Sequence, residues 1–193
     1  MRITGGSLCG RKVAVPEGVI RPAMDRMRES VFAVLGDLTG QSFLDIFSGS
    51  GIIALEAASR GAESVDAVEM DPLKRGTLIK NVSIAPIRIQ CHFMAAELYV
   101  RRAKKRFDIV FCDPPFPYRF KRELVASIAA SPIAGPGTLI LIHHPREDVL
   151  PETIGPLSLE DRREYGRSIV EFFRCGAENG TLAVELPKVT DQS

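Results

Sequence analysis

After Gly40 the chain alternates short apolar runs with amphipathic stretches, and this alternation constrains the fold more than any other feature of the sequence. Phe43 to Phe47 reads as a strand and Ile52 to Ser59 as a helix stopped by Arg60-Gly61. Val65 to Glu69 is a second strand, and Pro72 to Val82 a helix with proline well placed in its first turn. Arg88 to His92, Phe107 to Cys112 and Thr138 to His143 continue the strands, separated by helices over Ala95 to Lys105 and Lys121 to Ala130. Strands joined by helices pair in parallel and are covered on both faces, as the near-continuous apolar run Phe107 to Cys112 requires. Leu157 to Tyr165 and Ile169 to Arg174 can close the sheet as an antiparallel hairpin about Gly166-Arg167. The expectation is an α/β fold with a doubly wound, mostly parallel seven-stranded sheet.

Before the alternation, residues 1–22 read as a small hairpin-like extension, rich in glycine around Val13 to Val15. Met24, Met27, Val31, Val34 and Leu35 then mark one helical stripe through Leu38. Residues 23–185 form the main domain, and 186–193 read as a loose tail. A chain of 193 residues with 45% hydrophobic and 25% charged residues builds one core without staples, which excludes a disordered chain. The apolar runs are too short to span a membrane, and the opening lacks the apolar core of a signal peptide. Cys9, Cys91, Cys112 and Cys175 show no metal-ligand spacing. Free thiols, a cytoplasmic location, no metal and a monomer are expected.

The loop after the first strand carries the first chemical signal. Gly49-Ser50-Gly51-Ile52-Ile53-Ala54 fits G-x-G-x-x-G/A at a strand-to-helix turn, and Glu69 ends the next strand where a carboxylate can accept from ribose hydroxyls. Turn glycines alone are often structural; an acid at the right strand end turns the pair toward a nucleoside-type ligand. Asp45, just before the turn, would repel a pyrophosphate but suits an ammonium group. That favours S-adenosylmethionine over NAD or FAD, unless Asp45 merely ties down local backbone amides. Met70 and Ala95, at the ends of later strands, complete the expected cofactor set.

The second signal is Asp113-Pro114-Pro115-Phe116, directly after the fourth strand. Two prolines hold the backbone extended and leave carbonyls without local donors. A carboxylate, a carbonyl and an aromatic face then converge on one point, which an exocyclic amino group of a nucleobase needs. Its lone pair is delocalised into the ring, so methyl transfer demands positioning more than a strong base. His92, His143 and His144 stand at strand ends with no acid partner at triad spacing, and read as structural or edge contacts.

The whole of residues 1–175 resembles the bacterial 16S ribosomal RNA guanine-N2 methyltransferases. The motifs are Met1-Arg2-Ile3-Thr4-Gly5-Gly6 with Gly10-Arg11-Lys12, Arg21-Pro22 with Asp25-Arg26-Met27-Arg28-Glu29 and Phe32, Leu44 to Gly51, Val68-Glu69-Met70-Asp71, Asp113 to Phe116, and Tyr165-Gly166 with Ile169 to Phe173. The resemblance implies a Rossmann-like methyltransferase fold, S-adenosylmethionine as cofactor, and 16S rRNA or a small-subunit assembly intermediate as partner. Ala23 replaces the family's threonine after Arg-Pro, and Met94 stands where such enzymes place an Asp near the adenine amino group, leaving backbone or Glu97 to substitute. An adenine-N6 enzyme and a non-catalytic RNA-binding relative are the alternatives.

Charge is uneven. Residues 1–28 carry six Lys/Arg against two Asp/Glu, and residues 100–122 eight against two. Arg11, Lys12, Arg21, Arg26, Arg119, Lys121 and Arg122 are the expected RNA contacts. Arg101, Arg102, Lys104, Lys105 and Arg106 fall at a helix end on the far side from Asp113, where the helix dipole favours cations without any partner.

Overall fold

The computed structural model describes residues 1–15 and 22–176. Arg21 and the tail from 186 lie outside the described residues. Helix α1 spans Pro22–Leu35 and ends at Gly36, whose φ of +68° is the left-handed stop that a side chain resists. There follow β1 (Ser42–Ile46), α2 (Ile52–Ser59), β2 (Ser64–Val68), α3 (Pro72–Val82), β3 (Ile89–His92), α4 (Ala96–Arg102), β4 (Ile109–Cys112), α5 (Lys121–Ala129), β5 (Leu139–Pro145), β6 (Thr153–Ile154), β7 (Leu157–Tyr165) and β8 (Ser168–Cys175).

One sheet runs in the order β3-β2-β1-β4-β5-β8-β7-β6, parallel through β5 and antiparallel beyond it. The sheet has eight strands rather than seven. The extra one is Thr153–Ile154, too short to show a period in sequence, which pairs with the start of β7 and buries Ile154. Helix α4 ends at Arg102, short of the expected Lys105, because Lys105 turns back to bind Asp66 at 2.8 Å and Ser64 at 3.2 Å.

Successive strand residues feed two apolar layers. Phe43, Ile109, Phe111, Leu139 and Leu141 face the layer of α1 and α2, whereas Leu44, Val110, Cys112, Ile140 and Ile142 face that of α4 and α5. Strand order reverses between β1 and β4, so the loops leaving these two strands open a crevice at the carboxyl edge. The pairing of Ile46 with Cys112, extended by the Asp113 amide donating to the Ile46 carbonyl at 3.1 Å, sets the two loops side by side.

The N-terminal segment is a narrow hairpin, with Arg2 bridging Lys12, turned by a 3₁₀ segment at Gly6–Leu8. It is fastened by Glu56, fully buried on α2, which accepts from the Thr4 amide at 2.8 Å and from Arg28 Nε at 2.9 Å, and pairs with Arg60. Such a buried carboxylate is tolerable only because its oxygens are filled. The hairpin's open end reaches the carboxyl edge, where Asn81 joins Ala14 to Ser50. Its tip lies against Ser59 at the opposite edge.

Candidate active site

The crevice is a cleft of about 1160 Å³. Gly49, Glu69, Met70 and Lys74 line one end, Asp113 to Tyr118 the middle, and Tyr165, Arg167 and Ser168 the other. Behind the glycine turn a smaller pocket of about 100 Å³ is lined by Asp45, Gly49, Ser50 and Asp113, with Met1, Met27 and Arg28 from the other side. Of the expected catalytic and cofactor residues, Gly51 and Ala95 line neither space. Gly51 is the left-handed N-cap of α2 at φ +78°, and a Cβ there would stand 2.6 Å from Leu78 Cδ1. Ala95 precedes the first turn of α4. Met70 is exposed at the cleft mouth, and Met94 packs against the α4–α5 layer.

The turn itself bends sharply. Phe47 takes φ +67°, uncommon for a side-chain-bearing residue, and its ring meets Tyr118 edge-on at 5.4 Å. Glu69 is buried and fixes the turn: Oε2 accepts from the Gly49 amide and Oε1 from the Asp71 amide, both at 2.8 Å. Lys74 Nζ lies 3.9 Å from Oε2, and each carboxylate oxygen can accept a second hydrogen bond.

Asp45 is also buried. Its Oδ2 accepts from the Ala54 amide at 3.2 Å, so a carboxylate already occupies the helix N-terminus where a pyrophosphate would sit. Oδ1 is buried with no partner among the described residues. Burial, with smaller contributions from Asp113 and Glu69, raises the Asp45 carboxyl to about 7 despite the opposing bonds from Ser48 and Ala54. An orphaned carboxylate oxygen beside a small pocket fits a ligand cation and disfavours a dinucleotide.

On the other loop, Asp113 sits half-buried with Pro114 buried behind it. No described donor reaches the Pro114 carbonyl, while the Pro115 carbonyl accepts from Tyr118 at 2.8 Å. The histidine reading changes here. His143, buried on β5, brings Nδ1 within 2.7 Å of Asp113 Oδ1, and its ring meets Phe116 edge-on at 5.7 Å. Thirty positions separate the pair in sequence, so only the β4–β5 register reveals it. His92 and His144 do pair with local structure, on Asp66 at 2.8 Å and on the Pro145 carbonyl at 2.9 Å. Glu97 accepts from the Tyr118 hydroxyl at 2.6 Å; burial, and after it this bond, raises the Tyr118 pKa.

Lys121 is a second correction. Expected on an RNA-facing surface, it is 4% exposed, and its ammonium binds the carbonyls of Phe116 (3.0 Å) and Tyr118 and the Asp148 carboxylate (2.8 Å). Two hydrogen bonds to carbonyls and this ion pair hold the loop. Arg119, Phe120 and Arg122 remain exposed beside it. Arg11, Lys12 and Arg26 are exposed on the N-terminal flank. Lys105 and Arg106 are tied down at the amino edge, by Asp66 and by the Pro136 carbonyl.

The model of the family described as Conserved hypothetical protein 95 matches residues 1–174. The chain belongs to this family. It is 30% identical over 181 residues to the Escherichia coli K12 protein named ribosomal RNA small subunit methyltransferase D, covering 92% of this chain and 91% of that one. The solved structure of Escherichia coli yhhF, described as an inferred methyltransferase, aligns at TM-score 0.83 and 31% identity, covering 92% of this chain and 99% of that one. SMU.776, an inferred methyltransferase solved with SAH, shares the fold at TM-score 0.65 and 16% identity, over 80% of this chain and 50% of that one. The fold is therefore the Rossmann-like fold of methyltransferases, as the family resemblance implied.

Proposed function

We propose that this member of the family is an S-adenosylmethionine-dependent methyltransferase acting on the exocyclic N2 of a guanine in small-subunit ribosomal RNA. The observation that carries the reading is one cleft in which the Gly49–Glu69 end opens directly onto Asp113-Pro114-Pro115-Phe116. The name of the Escherichia coli relative supports rRNA as the substrate.

When bound, S-adenosylmethionine supplies a methyl group on a positively charged sulfur. On the protein side, Glu69 offers lone pairs to ribose hydroxyls and Asp45 Oδ1 accepts the ammonium group. Asp113 Oδ2 and the Pro114 carbonyl take the two N–H groups of the target amine. Holding both hydrogens draws the nitrogen lone pair out of conjugation and aims it, so orientation supplies most of the rate. The Phe116 ring stacks the base. Arg119 and Arg122, with the exposed Phe120 between them, offer phosphate and base contacts on the active edge, and Arg11, Lys12 and Arg26 extend the basic rim.

The test is transfer of tritiated methyl from S-adenosylmethionine to protein-free 16S rRNA and to small-subunit assembly intermediates, followed by nucleoside analysis. N2-methylguanosine is expected, with Asp113→Ala losing most transfer while S-adenosylhomocysteine still raises its melting temperature. Label in N6-methyladenosine would reassign the target base. Stabilisation by NAD and none by S-adenosylhomocysteine would overturn the cofactor.

A further inference from the structure

We propose that His143 is a positioning residue of this site, one buried imidazole that orients both the carboxylate and the aromatic ring of the Asp113–Phe116 turn. The inference rests on the function proposed above. The two prolines of the turn restrain its backbone but do not by themselves set the rotamers of Asp113 and Phe116. His143 touches both. Its Nδ1 lies 2.7 Å from Asp113 Oδ1, and its ring lies 5.7 Å from that of Phe116 at 67°.

A carboxylate only accepts, so the hydrogen of this bond is on Nδ1. Oδ1 is thereby committed, and Oδ2 is the oxygen left to a target N–H. His143 is itself held rigidly. It lies in β5, one residue past the last rung to β4 (Cys112 with Ile142) and opposite Val170 of β8. A side chain on a central strand is a more exact support than one on a loop.

Among the described residues, Asp113 is the one hydrogen-bond partner of the imidazole. Nε2 is buried and has no partner among the described residues. His143 also lines the cleft, so its bond to Asp113 stands at the site itself.

Two variants separate the two contacts. His143→Phe keeps a ring against Phe116 and loses the N–H; His143→Asn keeps an amide donor for Asp113 and loses the ring. Steady-state methyl transfer to the rRNA substrate should show His143→Phe with kcat lowered roughly 10–100-fold and RNA KM within about threefold, as expected for a misaimed reactant. His143→Asn should retain kcat within about fivefold and raise RNA KM instead. Proton NMR of the cofactor-free protein should show a downfield Nδ1–H signal that disappears in Asp113→Ala. Wild-type kcat in His143→Phe, or equal losses of kcat in both variants in step with their melting temperatures, would overturn the role while leaving the methyltransferase reading intact. A wild-type protein that methylates no RNA would overturn that reading and the positioning role with it.

Discussion

Replacing Lys121 by Met separates two incompatible accounts of the same residue. Methionine keeps most of the apolar stem and removes the ammonium that joins the Phe116 and Tyr118 carbonyls to Asp148. A hydrogen bond to a charged group contributes about 1.5–3 kcal/mol. The Asp148 side chain is 41% exposed, so its ion pair adds less than about 1 kcal/mol after screening. Water reaching the half-buried loop will recover part of the loss, which leaves a net cost of about 2–3 kcal/mol. At roughly 2–4 °C per kcal/mol for a domain of this size, the melting temperature should fall by about 4–12 °C. Methyl transfer should fall more than RNA affinity, because the loop that aims Asp113 and Phe116 has lost its tether. A surface RNA contact behaves oppositely: its loss leaves the melting temperature alone and flattens the salt dependence of single-strand binding by about 0.7 units. Scanning calorimetry and filter binding at several salt concentrations read both quantities. An unchanged melting temperature with a slope reduced by about 0.7 would refute the structural role.

Asp45 makes stability depend on pH. Its folded pKa, raised to about 7, favours the protonated form, so its contribution is complete below the unfolded pKa near 3.8 and is lost as pH rises through about 7. The cofactor-free protein should melt at lower temperature at pH 8 than at pH 6, Asp45→Asn should reduce that difference, and S-adenosylhomocysteine should bind more tightly on the alkaline side; identical profiles for the two proteins would exclude Asp45 as the source. Arg119→Glu with Arg122→Glu should lower RNA affinity and flatten its salt slope by about one to two units, whereas Arg101→Glu with Arg102→Glu should change neither; equal damage from both pairs would misplace the interface. Gly6→Ala puts a Cβ 1.8 Å from the Ser59 carbonyl at φ +72°, so it should destabilise the protein more than Gly10→Ala, where φ is +80° but the space is open and only about 1–2 kcal/mol of backbone strain applies. Urea melts compare the two, and equal midpoints would show that the hairpin is not packed on α2 as described.

The parallel core was legible because most of its strands announce themselves as short, largely apolar runs, Ile109–Cys112 and Leu139–Pro145 above all. Gly49, Glu69 and Asp113 were legible for a related reason, since they end strands, and strand ends in a doubly wound sheet share one edge. What sequence concealed were partners chosen by register. His143 meets Asp113 because β4 and β5 are neighbours, a fact no spacing encodes. Lys121 carries the composition of a solvated cation, yet the helix turn that follows Phe120 points it inward at carbonyls that only a folded loop presents. Glu56, mid-helix among alanines, reads as a surface acid until Arg28, Arg60 and Thr4 close over it. Pairwise polar contacts over long separations carry no periodic signal, whereas burial by face does.

The electrostatics of the cleft constrain how a polyanion can use it. Glu69, Asp71, Glu97, Asp113 and Glu147 line it, against Lys74 and Arg167. A sugar-phosphate backbone laid along such a surface would meet more like charge than opposite charge. A nucleobase would not, since it is neutral and its exocyclic amine seeks the acceptors that repel phosphate. The same acids suit a cofactor that carries positive charge. The cations that can hold phosphates, Arg119 and Arg122, are exposed outside the turn, next to an exposed aromatic ring. Acid inside and base at the rim therefore favour a single base leaving its strand to enter the cleft, with the backbone held at the edge. Chemistry on an amino group buried in stacking and pairing requires that exposure in any case.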